Sequence, residues 1–134
     1  WKPRLDKMQR DIGGAIEPEP QKVPLHPESV ALFDTLISKF QQRGTRVFLV
    51  VSPNFGRSVS ASSAIEYLKK TSQQRGIPLF VYSNDTAFIT KPEYFVDPEH
   101  LNVEGAQLFT RNLIRQIKPH IHPNHLSQYD DTLR

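Results

Sequence analysis

The sequence predicts an α/β fold, a parallel sheet flanked by helices, and three observations carry that prediction. Two apolar runs, "RVFLVVSP" at 46–53 and "IPLFVYS" at 77–83, are rich in β-branched and aromatic residues and too short to be helices. Around them lie stretches with apolar residues three and four apart, the period of a helix that buries one face. Two helix-like stretches run through a glycine into a strand-like one, in "QQRGTRVFLV" and "QQRGIPLFVY". Alternating topology generates such an echo by itself, so it does not argue for duplication.

Taken in order, residues 1–26 form a lead-in. Gly13 and Gly14 precede "EPEPQKVPLHP", whose closely spaced prolines forbid a regular helix and favour an extended path. A helix follows over 27–43, with Pro27 in its first turn and Gly44 at its stop. Val30, Phe33, Ile37 and Phe40 should face inward with Leu36 beside them, and His26 belongs to the helix entry. The run at 46–53 reads as a strand buried on both faces, closed by Ser52-Pro53. After the polar loop 54–60, a second helix from about Ser62 places Ile65, Leu68 and Ser72 inward until "QQRG" ends it.

The run at 77–83 is the second strand. Strand, helix and strand with short polar connections make a βαβ unit, with parallel strands and a right-handed crossover. Residues 83–96 read as an irregular loop. A last helix from near Val103 should show Ala106, Phe109, Leu113 and Ile117 on one face, and Pro119 stops it. The domain thus spans 27–118, and 119–134 is a surface tail without apolar periodicity. Two strands are few for a sheet, which normally has about five or six. Marginal strands from the N-terminal segment, a partner chain or upstream polypeptide would complete it, and an open edge invites self-association.

Composition narrows the function classes. A chain of 134 residues, 37% hydrophobic and 23% charged, suits one globular domain, and no apolar window approaches the length that spans a bilayer. The net charge is +3 and the pI about 9.3, but Lys and Arg are dispersed among acids, which argues against nucleic-acid binding. The absence of cysteine excludes disulfides, thiol nucleophiles and thiolate metal sites, and fits either side of a membrane. The opening "WKPRLDKMQR" has no initiator Met and no apolar signal core, so the chain reads as an excised piece of a longer protein. Trp1 has no readable role.

The chemistry concentrates in "DPEHLNVEGAQLF", which begins at Asp97. The loop that holds Asp97 and His100 follows the carboxyl end of the second strand, where open parallel sheets gather their reactive groups. A histidine can take the proton of a serine hydroxyl and return it to the leaving group when a carboxylate holds its other nitrogen. Asp97, three residues ahead across one tight turn, would orient the ring, and His100 would shuttle the proton. The same residues also make a helix entry: Asp97 as a cap, Pro98 in a first turn, and Asn102 as the cap of the helix at Val103. On local pattern alone, capping is the stronger of the two readings.

"FVDPEHLNVEGAQLFTRNLI" resembles the last conserved block of the SGNH hydrolases, the GDSL esterase/lipase superfamily. The form D-x-x-H-L-N with G-A-x-x-F, seen in bacterial envelope-associated members, is matched by Asp97, His100, Leu101, Asn102, Gly105, Ala106 and Phe109. The two strand runs are similar to that family's last two, so the resemblance covers roughly 27–118. It implies a flavodoxin-like three-layer α/β/α fold of which this chain is the C-terminal portion, with Asp97 and His100 as acid and base of a serine triad. It further implies a cell-envelope location, no cofactor, and either ester hydrolysis on a small-molecule or polysaccharide ester or acetyl transfer to an envelope polysaccharide. The family's G-D-S, glycine and G-x-N-D blocks are absent; "SND" at Ser83–Asp85 lies too close to Asp97 to be the last of these. The nucleophile would therefore come from elsewhere. The alternative is a non-catalytic module that uses the same fold for binding or assembly.

No local serine replaces it. Ser52, Ser58, Ser60, Ser62 and Ser63 lack a G-x-S-x-G elbow, and loop solubility or helix capping explains them. His120, His122 and His125 form an H-x-H-x-x-H tract able to chelate Zn²⁺ or Ni²⁺, but no acid or scaffold accompanies them, so no metal site is assigned. Asp85 should end the second strand in a polar turn, with lining the crevice as its other use. Tyr94 and Phe95 should pack the loop against the sheet rather than form a substrate wall. Gly13-Gly14 lacks the strand-to-helix context of a phosphate loop.

Overall fold

The computed structural model describes residues 23–55 and 62–121 in full, and 17–18 and 57–58 as backbone. Within them the chain is a mixture of helices and short strands built around a small parallel pair. The first elements are β1 (Glu17–Pro18), helix α1 (Pro27–Gln42), β2 (Leu49–Val51), β3 (Arg57–Ser58), helix α2 (Ser63–Arg75) and β4 (Leu79–Val81). A short helix α3 (Thr86–Ile89), a 3₁₀ turn (Pro92–Tyr94), β5 (Phe95–Asp97), β6 (His100–Leu101), helix α4 (Val103–Ile117) and a closing 3₁₀ turn (Lys118–His120) follow.

The central pair is parallel, with Leu49 opposite Leu79 and Val51 opposite Val81, and α2 is the crossover between the two strands. The expected βαβ order is therefore present. The N-terminal segment supplies a marginal strand but does not extend this pair: Glu17–Pro18 pairs in parallel with Arg57–Ser58 as a separate two-stranded sheet. Most of the remaining lead-in and most of the tail, including Gly13, Gly14, His122 and His125, lie outside the described residues, as do Trp1 and Ser60.

Local chemistry explains the helix ends. Pro occupies the first turn of α1, with Glu28 in the first turn and Lys39 in the last to complement the helix dipole. His26 occupies the N-cap without a side-chain capping bond, so it serves the entry by its backbone. Ser62 caps α2, its Oγ accepting the Ile65 N–H at 3.1 Å. The "QQRG" echo has a backbone cause: Gly44 and Gly76 have φ of 72° and 63°, a left-handed turn that releases the chain from each helix toward a strand.

Burial corrects several expectations. On α1, Ile37 is buried and Val30 and Phe33 are half-buried, but Phe40 and Leu36 are 41% and 49% exposed. At 3.6 residues per turn they lie about 60° and 100° round the helix from Ile37, on a flank uncovered among the described residues. On α2, Ile65 and the unforeseen Thr71 are buried, and Leu68 and Ser72 are half-buried. The strands are not sealed on both faces: Leu49 is buried, yet Val50 and Val81 are 37% and 38% exposed. On α4 the inward residues are Gly105, Leu108, Phe109, Leu113 and Ile117, while Ala106, within about 20° of Leu113 and Ile117 round the helix, is exposed at its N-terminal end.

Residues 83–96 are ordered rather than irregular. Asp85 caps α3 by accepting the Ala87 N–H at 2.9 Å, and the buried Phe88 and Ile89 fix the turn to the core. Helix α4 stops at Ile117, but Pro119 belongs to a further 3₁₀ turn, so His120 is packed rather than loose. Its ring lies edge-on to Phe48 and Phe80, and its carbonyl accepts from Arg46.

The core divides about the β2–β4 pair. Ile37, Leu49 and Ile77 cluster with Phe33, Leu68 and Leu79, joining α1 and α2 to the strands. Phe55, Tyr82, Phe88 and Phe95 cluster with Phe80, Leu108, Phe109 and Leu113, joining α3, β5 and α4 to them. Adjacent β4 residues, Leu79 and Phe80, serve different clusters because side chains alternate along a strand. Between α1 and α2, Arg75 bonds Ser38 Oγ at 2.8 Å and Asp34 Oδ1 at 3.2 Å, and Gln41 donates to the Arg75 carbonyl.

Candidate active site

The sequence placed Asp97 and His100 one tight turn apart, and the structure brings their side chains together. Asp97 ends β5 and His100 begins β6, and the two are opposed in the antiparallel pair. Asp97 Oδ1 accepts from the backbone N–H groups of Glu99 and His100, each at 2.9 Å, and lies 2.8 Å from His100 Nδ1. The first two bonds make an Asx-type turn, which holds the carboxylate in place whatever the ring does. The third gives the ring a direction.

The electrostatics follow from those bonds. The Glu99 N–H, then the His100 ring, hold the Asp97 carboxyl below the usual carboxylate range, and slight desolvation opposes them without winning. Asp97 is therefore ionised at neutral pH and can only accept hydrogen bonds. A neutral His100 ring meeting it through Nδ1 must carry its proton there, which leaves the Nε2 lone pair as the basic site. Nε2 has no hydrogen-bond partner among the described residues, and the His100 side chain is 72% exposed. Chemically, this is an oriented imidazole that can accept a proton from an incoming hydroxyl.

Three contacts hold the turn. The Phe55 N–H, in the loop that leaves the carboxyl end of β2, donates to the Pro98 carbonyl at 2.8 Å. Phe95 is fully buried against Phe55, ring centres 5.7 Å apart, which roots β5 in the core. Asn102 caps α4, accepting the Gly105 N–H at 2.9 Å. The capping role was readable from the motif; the grip of Phe55 on Pro98 was not, because a main-chain bond between loops leaves no residue-type signature.

The other candidates fall in place around the pair. Phe95 and Tyr94 pack into the core cluster, Tyr94 against Phe88 at 6.2 Å between ring centres. Ser62 is a cap, Ser52 is exposed, and neither bonds to His100; the Ser58 side chain lies outside the described residues. Ser63 opens α2. Ser83 is fully buried with its Oγ unpartnered among the described residues, so "SND" offers no accessible hydroxyl. Burial, then the charge of Asp85, pushes the neighbouring Tyr82 phenol up.

Two cavities, one of 210 Å³ between α1 and α2 and one of 270 Å³ near Arg46 and His120, are lined by neither Asp97 nor His100. Among the described residues no three His, Cys, Asp or Glu side chains are grouped to hold a metal. No helix among them is long and apolar enough to cross a membrane. No protein-family model matches the chain, and neither a curated protein nor a solved structure matches it.

Proposed function

We propose that this chain carries the acid and base of an SGNH-like serine esterase or acyltransferase, with the nucleophile and oxyanion donors supplied by polypeptide outside these 134 residues. The observation that supports the reading is the 2.8 Å contact of Asp97 Oδ1 with His100 Nδ1 on a ring whose far edge is exposed. On this reading Nε2 takes the serine proton as Oγ attacks the ester carbonyl, and the Asp97 carboxylate stabilises the imidazolium that forms. The imidazolium then gives the proton to the leaving alcohol, and water or an acceptor hydroxyl completes the cycle through the same nitrogen. The substrate class is a small-molecule ester or an acetylated envelope polysaccharide. The full architecture proposed is a three-layer α/β/α domain, with α1 and α2 over one face of a completed sheet and α4 over the other.

A second reading rests on the Asx-type turn. Because Asp97 Oδ1 already satisfies two backbone N–H groups, the pair would persist as a structural cap in a non-catalytic binding or assembly module. The two separate in an assay of p-nitrophenyl acetate hydrolysis by a longer protein that includes the upstream segment. A functional base predicts that His100→Ala lowers kcat by about 10²–10⁴-fold. Equal rates from the two proteins would end the catalytic reading. The 134-residue chain alone should be nearly inactive, and a robust serine-dependent rate from it would contradict the external nucleophile.

A further inference from the structure

The Asp97–His100 turn stands at the tip of a short hairpin, and an exposed pair on a two-residue strand needs something at its base to keep its direction. Asn102 provides that base. Its Oδ1 accepts the Gly105 N–H at 2.9 Å, and its Nδ2 donates to the Glu93 carbonyl at 2.6 Å. Its backbone N–H donates to the Tyr94 carbonyl at 2.8 Å. Glu93 and Tyr94 lead into β5, whereas Asn102 and Gly105 follow β6, so one residue ties the two ends of the segment 95–101 together. A helix cap requires only the Oδ1 bond. The amide nitrogen reaching Glu93 is additional, and a serine or aspartate cap has no such donor.

The close approach is built for this contact. A Cβ on Gly105 would lie 2.8 Å from Tyr94 Cβ and closer still to the Tyr94 carbonyl oxygen, so only glycine lets the start of α4 meet the 3₁₀ turn there. Further out, the turn's own bonds hold the Asp97 carboxylate and the Phe55 N–H holds the Pro98 carbonyl, but the His100 ring meets Asp97 only while β5 and β6 stay in register, and that register depends on the base of the hairpin.

We infer that Asn102 is a positioning residue for His100: its amide clamps the hairpin base, and the clamp sets the direction of the imidazole toward incoming substrate. This deepens the proposed catalytic reading and rests on it for the word substrate, but the clamp itself can be tested without activity. The test is ¹⁵N NMR of the His100 ring in the full 134-residue chain, in alkaline buffer, in native, Asn102→Ser and Asn102→Ala proteins. Serine keeps the cap and removes the donor to Glu93, so it separates clamping from helix stability. The native ring should show one tautomer, with the proton on Nδ1. In Asn102→Ser the single-tautomer pattern should be lost and the two nitrogens should average toward the mixture of free imidazole, while the fold remains. A native pattern in Asn102→Ser would overturn the clamp even if Asn102→Ala failed to fold. Loss of hydrolysis in His100→Ala with an unchanged Asn102→Ser spectrum would reject the clamp and leave the catalytic reading standing; the converse would reject catalysis alone.

Discussion

The N–H of Phe55 donates to the carbonyl of Pro98 at 2.8 Å, so the loop leaving β2 grips the turn that carries Asp97 and His100. The contact joins the carboxyl end of the parallel pair to the acid–imidazole turn. It also explains how an exposed pair on a short hairpin keeps a defined place on the molecule.

Acid should weaken the chain partly through Asp97. Its folded-state pKa lies below the unfolded value of about 3.9, so its contribution is present in full above that pH and is lost as pH falls through the lowered folded value. Asp97→Asn lacks this charge. Urea midpoints should show native protein more stable than Asp97→Asn at pH 7, with the gap closing below about pH 4. A gap that stays constant down to pH 2.5 would mean that the hydrogen bonds seen at Oδ1 do not favour the ionised form.

Gly105→Ala should destabilise the chain although alanine is the better helix former. The propensity gain is at most about 1 kcal/mol, whereas forcing atoms into a filled space costs about 1–3 kcal/mol. Here the obstacle is main chain, the Tyr94 carbonyl, which cannot swing away as a side-chain end would. The upper part of that range is expected, read as a lowered denaturation midpoint. A neutral or stabilising result would show that the start of α4 lifts freely from the 3₁₀ turn.

Phe88→Ala and Leu32→Ala should differ sharply despite similar chemistry. Phe88 is fully buried and meets Tyr82, Tyr94 and Phe109 edge-on or tilted, so truncation leaves a cavity and should cost about 3–5 kcal/mol. Leu32 is 72% exposed and should change stability by less than about 0.5 kcal/mol. Thermal or urea unfolding of the two variants decides. A large cost at Leu32 would mean that the exposed flank of α1 is covered in the folded protein.

The sequence was most legible where one residue type does one local job. Proline at the start of α1, serine before α2 and glycine after it marked helix ends from their own backbone preferences, and the structure has them there. The two apolar runs marked the parallel strands, because β-branched and aromatic residues in a short run have few other homes. Depth of burial was not legible: Phe40, Leu36 and Ala106 follow the helical period, yet which sector of a helix is covered depends on neighbours the period does not specify. The span 83–96 was read as irregular because its apolar residues have no sustained period; Asp85, Phe88 and Phe95 organise it through a cap and tertiary contacts. At the site, the spacing of Asp97 and His100 was enough to expect contact across a turn. The amide of Asn102 reaching Glu93, nine residues back, was beyond any spacing rule.

The outer edge of β2 should make the isolated chain associate. The Leu49 N–H donates to Pro78 and the Val51 carbonyl accepts from Tyr82, so in a parallel ladder residues 49 and 51 face β4. The N–H and carbonyl of Val50 therefore point to the opposite side, where no strand pairs with β2 among the described residues. Val50 is 37% exposed, and an open edge beside an apolar side chain is a template for another chain. A lysine at such an edge keeps its stem on the apolar surface and its charge in water, which discourages pairing without emptying the core. Sedimentation velocity over a range of concentrations should show native mass rising above the 15.4 kDa monomer, and Val50→Lys should hold it near that value. A native chain that stays monomeric at every concentration would show that the β2 edge does not template association, and Val50→Lys would then leave the mass unchanged.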